Sequence, residues 1–326
     1  MLKSLGVFKD YSDGSLKSVF ELGNKKIIEM TLLFNKEKMD VVCCPTHHFC
    51  NLGCKMCHLT NNKLNKTMNA IGVDAFLEAL IKTLSKNRTD KKNLLISFMG
   101  VGEPLLNLPL IEGIYRREDE IKKQLGYNEI SYALATMMPN NNLKKLTEIV
   151  NDLNIPLKVH FSLHTPIDED RKELIPSTRV SVEEALNYLT EYRNVIQKND
   201  KIMEKYIKFH RTNDPVEIHY TLIDKVNDGN KELTSICKIL EKYKIAIKFI
   251  RFNPKDTLTK SKKEDLWIKT IKQKVPNLRI KTYSPPGRQI GSSCGEFTKH
   301  YYHEEIETKE EKEEFENWKK HHEITV

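Results

Sequence analysis

Cys50, Cys54 and Cys57 stand in the run Cys50-Asn51-Leu52-Gly53-Cys54-Lys55-Met56-Cys57, a C-x3-C-x2-C spacing. Thiolates on so short a loop can converge on one inorganic centre. Structural zinc usually takes four protein ligands and disulfides take cysteines in pairs, so a set of three suits neither. Three thiolates can instead hold three irons of a 4Fe–4S cluster and leave the fourth iron open to a substrate or cofactor. The chemistry implied is one-electron chemistry rather than a structural metal. Of the other cysteines, Cys44 on a hydrophobic strand and Cys237 beside Ile236 and Leu240 read as inert core thiols. His47, His48 and His58 crowd the loop. With three well-spaced cysteines already in place, they read as surface or outer-sphere residues.

The elements that must position this loop follow from hydrophobic periodicity. Short β-branched runs are expected as strands at Asp40–Cys44, Asn93–Met99, Glu129–Ala135, Leu157–Ser162, Val216–Leu222 and Ile245–Phe252. Apolar stripes of helical spacing lie between them, the first through Val73, Phe76, Leu77, Leu80, Ile81 and Leu84. Strand–helix alternation of this kind predicts an α/β fold with a parallel sheet, either doubly wound or a whole or partial barrel. Before it, Leu16–Leu22 and Lys26–Leu33 flank Gly23-Asn24 and read as a β-hairpin. After it come a strand at Leu278–Tyr283, a loop opened by Pro285-Pro286-Gly287, and a charged helix at Glu304–His322. The expected organisation is a hairpin extension over 1–39, a catalytic unit with its C-terminal loop over 40–302, and a charged helix over 303–326. The Lys-rich stretch Gln197–Asp214 reads as a solvated insertion or a basic loop.

The chain has 326 residues, enough for one large α/β domain or two small ones. No apolar run approaches a membrane span, and the start lacks the apolar core of a signal peptide. A cytoplasmic protein with no membrane partner is expected, and cysteines there serve metals or catalysis more often than disulfides. The net charge of +8 is unevenly spread: residues 303–326 carry nine Glu and four Lys, so the rest carries +13. A body so basic fits a polyanionic partner such as RNA.

Further motifs follow the cluster loop in order. Phe98-Met99-Gly100-Val101-Gly102-Glu103-Pro104 comes after the second strand of the alternation. The string Met99–Asn107, MGVGEPLLN, is similar to the MGMGEPLLN of the RlmN/Cfr family, radical S-adenosylmethionine (SAM) methyltransferases acting on C2 or C8 of adenine in RNA. Phe161-Ser162-Leu163-His164-Thr165-Pro166, with Asp168, Arg171, Leu174 and Pro176, resembles the family's SLHAP-x-D-x-x-R-x-x-L-x-P. Val226-Asn227-Asp228, Arg251-Phe252-Asn253-Pro254, and Gly287-Arg288-Gln289-Ile290 with Cys294-Gly295 match further segments. Glu29 matches an IE position near the start.

The resemblance implies a partial (βα)6 TIM-like radical SAM barrel with an N-terminal β-hairpin and a C-terminal loop plus helix. It implies a 4Fe–4S cluster on Cys50, Cys54 and Cys57, and SAM, two per turnover, bound by Gly102, Glu103, Pro104, Ser162, Leu163, His164 and Asn253. It implies Cys294 as the thiol that carries the methyl carbon, Cys43 as the resolving thiol that releases product by forming a disulfide, and Glu29 as proton acceptor. The partners implied are rRNA or tRNA and an electron donor such as flavodoxin or ferredoxin, and a monomer is expected. The chemistry is reasonable: an electron-poor sp² amidine carbon cannot attack the methyl of SAM, whereas a carbon radical can add to it.

Three features depart from the family. Too few residues precede the hairpin for the family's N-terminal helical domain. Ala133-Leu134-Ala135-Thr136 stands where the family has Ser-Thr-x-Gly, and Pro45-Thr46-His47-His48-Phe49 where it has an SSQVG-like segment. The chemical parts are retained and the recognition parts changed. Two alternatives stay open: the same methylation on a small aromatic molecule, and an iron–sulfur redox sensor, which would need neither Cys43 nor Cys294.

Overall fold

The structure is a computed structural model that describes residues 2–34, 38–60, 68–87, 89–210, 212–291, 301 and 308–324. Cys294 lies outside the described residues. Among them are ten strands: β1 Lys3–Lys9, β2 Leu16–Glu21, β3 Ile27–Leu33, β4 Asp40–Cys43, β5 Asn93–Phe98, β6 Glu129–Thr136, β7 Leu157–Ser162, β8 Val216–Tyr220, β9 Ile247–Ile250 and β10 Ile280–Tyr283. The helices are α1 Val73–Asn87, α2 Leu108–Arg116, α3 Glu118–Leu125, α4 Leu143–Leu153, α5 Asp168–Leu174, α6 Val182–Gln197, α7 Asp200–His210, α8 Asn230–Tyr243, α9 Glu264–Lys274 and α10 Lys309–His322. Strand order follows chain order, with β1 and β10 at the two edges. This open, chain-ordered sheet with helical crossovers is what the strand–helix alternation predicts.

The chain divides into two compact units, one of residues 1–51, 57–133 and 286–326, the other of 52–56 and 134–285. In the first, β1 to β4 pair antiparallel and β4 pairs parallel with β5. Its apolar residues fill two places. Phe76 of α1 packs on Phe98 of β5 with ring centroids 5.7 Å apart. Phe8 of β1 packs on Trp318 of α10 at 5.4 Å, and Phe315 stacks beside Trp318. A capping box between Thr308 and Glu311 starts α10. In the second unit β7, β8, β9 and β10 pair in parallel. Trp267 of α9 is fully buried against Tyr220 of β8 and Phe249 of β9. A second capping box, Ser181 with Glu184, starts α6.

Three differences from the sequence reading have physical causes. β1 was not foreseen; Gly6, at φ 140, sits at the irregularity in its pairing with β2 and breaks the alternation of side chains. The Lys-rich Gln197–Asp214 stretch is not a solvated insertion: it holds α7, whose Ile202, Met203, Tyr206 and Phe209 are buried at helical spacing. Four apolar side chains on one face outweigh the lysines, which occupy the other. α5 also went unread, because seven residues with two buried side chains leave no periodic signal.

Candidate active site

In the first unit, five polar residues of β2 to β5 share one face. Lys17 pairs across from Thr31, Val19 from Glu29, Thr31 from Cys43, and Cys43 from Ser97. Cross-strand partners point to the same side of a sheet, so Lys17, Glu29, Thr31, Cys43 and Ser97 form a polar row. Lys17 and Glu29 are buried and ion-paired at 3.4 Å. Cys43 is partly buried. That burial, with the charge of Glu29 beside it and Lys17 in opposition, pushes its thiol up to about 12. Cys43 is therefore protonated at neutral pH, and any attack by its sulfur requires a proton acceptor.

The segment Cys44–His48 is clamped to the Gly100–Asn107 turn. Gly100 N donates to Cys44 O at 2.9 Å, Thr46 N to Val101 O at 2.8 Å, and Asn107 Nδ2 to Thr46 O at 2.8 Å. Gly102 has φ +111, and a Cβ there would lie 2.5 Å from His47 Nδ1 and Thr46 Oγ1. Only glycine fits that backbone and that space. Glu103 is buried and its carboxylate caps the short turn Pro104–Leu106, accepting from Leu105 N at 3.0 Å. His47 and His48, read from the sequence as surface or outer-sphere residues, are not on the surface: they are 3% and 4% exposed. They are buried because they pack beneath this turn. Burial holds the His47 imidazole down to about 4, and His48 Nδ1 meets Ile27 O at 3.1 Å. Cys50 and Cys57 pack on the cluster of Phe8, Phe49, Leu59 and Val101.

In the second unit, the thiol of Cys54 approaches Met137 Sδ at 3.5 Å and packs with Leu174 and Ile175. Gly53, at φ +74, supplies the turn between Cys50 and Cys54. Ser162, Leu163 and His164 lie at and just past the C-terminal end of β7. Their backbone is held by the fully buried Arg171, which donates to Leu163 O at 3.2 Å, Ser162 O at 3.3 Å and Met137 O at 2.6 Å. His164 takes a left-handed φ of 55 and is fixed by Thr221 N to its Nδ1 at 3.1 Å. Asn227 Nδ2 donates to its carbonyl at 2.6 Å. Asn253 follows β9 and is half-buried. Arg171 and Asn227 thus brace the loop that the sequence singled out.

The sequence reading missed a buried charge network in this unit. Glu217 of β8 receives Lys281 at 2.6 Å, Lys248 at 2.9 Å and Lys158 at 3.3 Å. His160 Nδ1 lies 3.4 Å from the same carboxylate, and the His160 and His219 rings are 4.3 Å apart. Burial alone would raise the Glu217 carboxyl; His160 and the lysines outweigh it and hold it far below the usual range. Burial also pushes Lys158 down to about 8 and His160 to about 3. Two histidines and a carboxylate within 4.8 Å resemble a metal's ligand set. Three ammonium groups already on that carboxylate make the place cationic, which opposes a divalent ion. The network reads as a structural ion cluster. No residue-type signal marks it in the sequence, because lysines alternating along a strand look like a solvent face.

No protein-family model matches the chain. It is 26% identical over 293 residues to the probable dual-specificity RNA methyltransferase RlmN of Clostridioides difficile (strain 630), covering 89% of this chain and 77% of that one. It is 28% identical over 298 residues to the protein of the same name from Syntrophomonas wolfei, with 89% and 78% covered. Its fold matches the crystal structure of a radical SAM methyltransferase from Sphaerobacter thermophilus with a TM-score of 0.66 at 19% identity, over 90% of this chain and 80% of that one. The chain is thus similar over most of its length to RNA methyltransferases of the RlmN name, and it shares the fold of a radical SAM methyltransferase. Its open α/β sheet is the partial barrel of that fold. Among the described residues, no helix is long and apolar enough to cross a membrane.

Proposed function

We propose that the chain methylates an sp² amidine carbon, C2 or C8 of adenine, in rRNA or tRNA. One observation supports the reading: the assigned proton acceptor and the assigned resolving thiol share one sheet face, and Lys17 links that face to the last described residue before Cys294. Glu29 and Cys43 share the polar row, and Lys17 joins Glu29 to the carbonyl of Gly291, three residues before Cys294.

The donor set fits a 4Fe–4S cluster on Cys50, Cys54 and Cys57. All three are partly exposed thiols on a single eight-residue loop. Gly102, Glu103 and Pro104, and separately Ser162, Leu163, His164 and Asn253, are assigned to SAM. Gly102's position, where a Cβ does not fit, suits close approach of backbone to a ligand. Cluster and SAM, two molecules per turnover, supply a methyl group and hydrogen-atom abstraction, with flavodoxin or ferredoxin as the electron source. The residues of the chain do the rest. The Cys294 sulfur carries the carbon. Glu29 accepts the proton that the radical adduct of the ring loses together with one electron, which the oxidised cluster would take up. Cys43 attacks the Cys294 sulfur, closing a disulfide as the carbon–sulfur bond to product breaks and the released carbon takes up a proton. The +13 charge of residues 1–302 supports an RNA substrate over a small neutral one.

The test supplies the reduced, cluster-loaded protein with SAM and total RNA, and measures 5′-deoxyadenosine and methyladenosine by mass spectrometry. Both are expected. SAM cleavage with methylation of a small aromatic metabolite but not RNA would overturn the substrate, and no 5′-deoxyadenosine would overturn the chemistry.

A further inference from the structure

Lys17 is fully buried, and a lysine is almost never so without a demand for its charge. Its Nζ lies 3.4 Å from Glu29 Oε2 and donates to Gly291 O at 2.6 Å. Gly291 closes the turn Arg288–Ile290 in a left-handed conformation. That turn is already well held. Asp13 Oδ2 accepts from Gly287 N at 2.7 Å, and Asp10 Oδ2 from Gln289 N at 2.9 Å. Tyr11 N donates to Gln289 Oε1 at 3.1 Å, and Trp318 Nε1 to Gln289 O at 2.9 Å. Four hydrogen bonds from the β1–β2 connection and α10 hold residues 287–289 without any buried charge. A buried ammonium has a desolvation cost of several kcal/mol, so bracing the turn does not account for it. Of these five contacts, the Lys17 bond alone comes from a side chain that also touches Glu29.

We propose that Lys17 is a positioning residue that ties the Glu29 carboxylate to the backbone from which the Cys294 segment departs. One ammonium then sets both ends of the reaction: the direction of the proton acceptor and the point of departure of the carrier thiol. This rests on the roles given above to Glu29 and Cys294. Displacement of a catalytic group by about 1 Å can cost about 10²-fold in rate, and that is the loss expected when the tie is cut.

The test uses the full-length, cluster-loaded protein, with tritium transfer from methyl-labelled SAM to total RNA as the activity. Lys17→Met is expected to lower kcat about 10²-fold with KM for RNA within about threefold of wild type. Hydrogen exchange at residues 287–289 is expected to keep the wild-type rate in Lys17→Met and in Glu29→Gln, because four other hydrogen bonds hold that turn; faster exchange there in Lys17→Met would make Lys17 a brace of the turn and overturn its positioning role. Lys17→Arg, which keeps charge and donors, is expected to recover at least a tenth of the rate. If Lys17→Met does not fold, Lys17→Gln replaces it; it can still donate to Gly291 O but leaves Glu29 without a cation, and a loss of tenfold or more is expected. Wild-type kcat in the Met or Gln variant, with Glu29→Gln inactive, overturns the role of Lys17 alone. Wild-type turnover by Glu29→Gln overturns the reading of Glu29 beneath it.

Discussion

The second unit is expected to lose stability on mild acidification, and about half of the loss follows from His160 and His219. These side chains are 4% and 8% exposed. Burial first, and then the neighbouring lysines, hold His160 down to about 3 and His219 well below its ordinary value. The charged groups facing them are Lys158, Glu217, Lys248 and Lys281, and the buried His164 and His210 lie beside the same cluster. In the unfolded chain both imidazoles titrate near 6.5. As pH falls through 6.5 the unfolded state takes up protons that the folded state refuses, so stability falls from there down toward pH 3. Between pH 7 and 5.5 each histidine contributes a loss of about 1.3 kcal/mol, or about 2.5 kcal/mol together. For a unit of this size that lowers Tm by about 5–10 °C. Thermal unfolding followed by circular dichroism at half-unit pH steps measures it. His164 and His210 of the same unit are held down to about 3 by burial as well, so the His160→Gln/His219→Gln double variant should lose about half of the slope and each single variant about a quarter. A wild-type Tm that is flat between pH 7 and 5.5, or a slope unchanged in the double variant, would refute the reasoning.

Other outcomes follow from the same geometry. Glu217→Gln leaves three lysines without their shared carboxylate and should destabilise by about 3–5 kcal/mol, read by chemical denaturation; adding Lys158→Met should restore part of that loss. Gly102→Ala must strain a φ of +111 and push against His47 and Thr46, so SAM binding by equilibrium dialysis should weaken at least tenfold. Cys294→Ala should abolish RNA methylation while SAM cleavage continues; methylated RNA from that variant would remove the carrier role.

Much of the site was legible because its chemistry is carried by cysteines and glycines, whose roles depend little on surroundings. The C-x3-C-x2-C loop and Gly102 belong to this class: one brings three partly exposed thiols onto a single loop, and the other marks backbone that a Cβ cannot enter. The strand–helix alternation was equally clear, since β4 to β9 fall where the apolar runs predict. What stayed hidden depends on which way a polar residue faces. Lys158 sits in an alternating strand, and alternation reads the same whether the polar side meets water or an enclosed polar interior. The burial of His47 and His48 was hidden for a related reason: the turn that covers them lies more than fifty residues away in the chain. The α7 helix was masked by its lysines, which dominate composition while four apolar residues decide the packing.

The central claim is that Cys294 carries a carbon to adenine in RNA and Cys43 releases it. It is tested most directly in the Cys43→Ala protein, loaded with cluster and SAM, reduced, and given total RNA. After nuclease and protease digestion, mass spectrometry should find the Cys294 peptide joined through one carbon to an adenosine. A Cys43→Ala protein that turns over freely, or a Cys294 peptide that carries only a methyl group or a small metabolite, would contradict it.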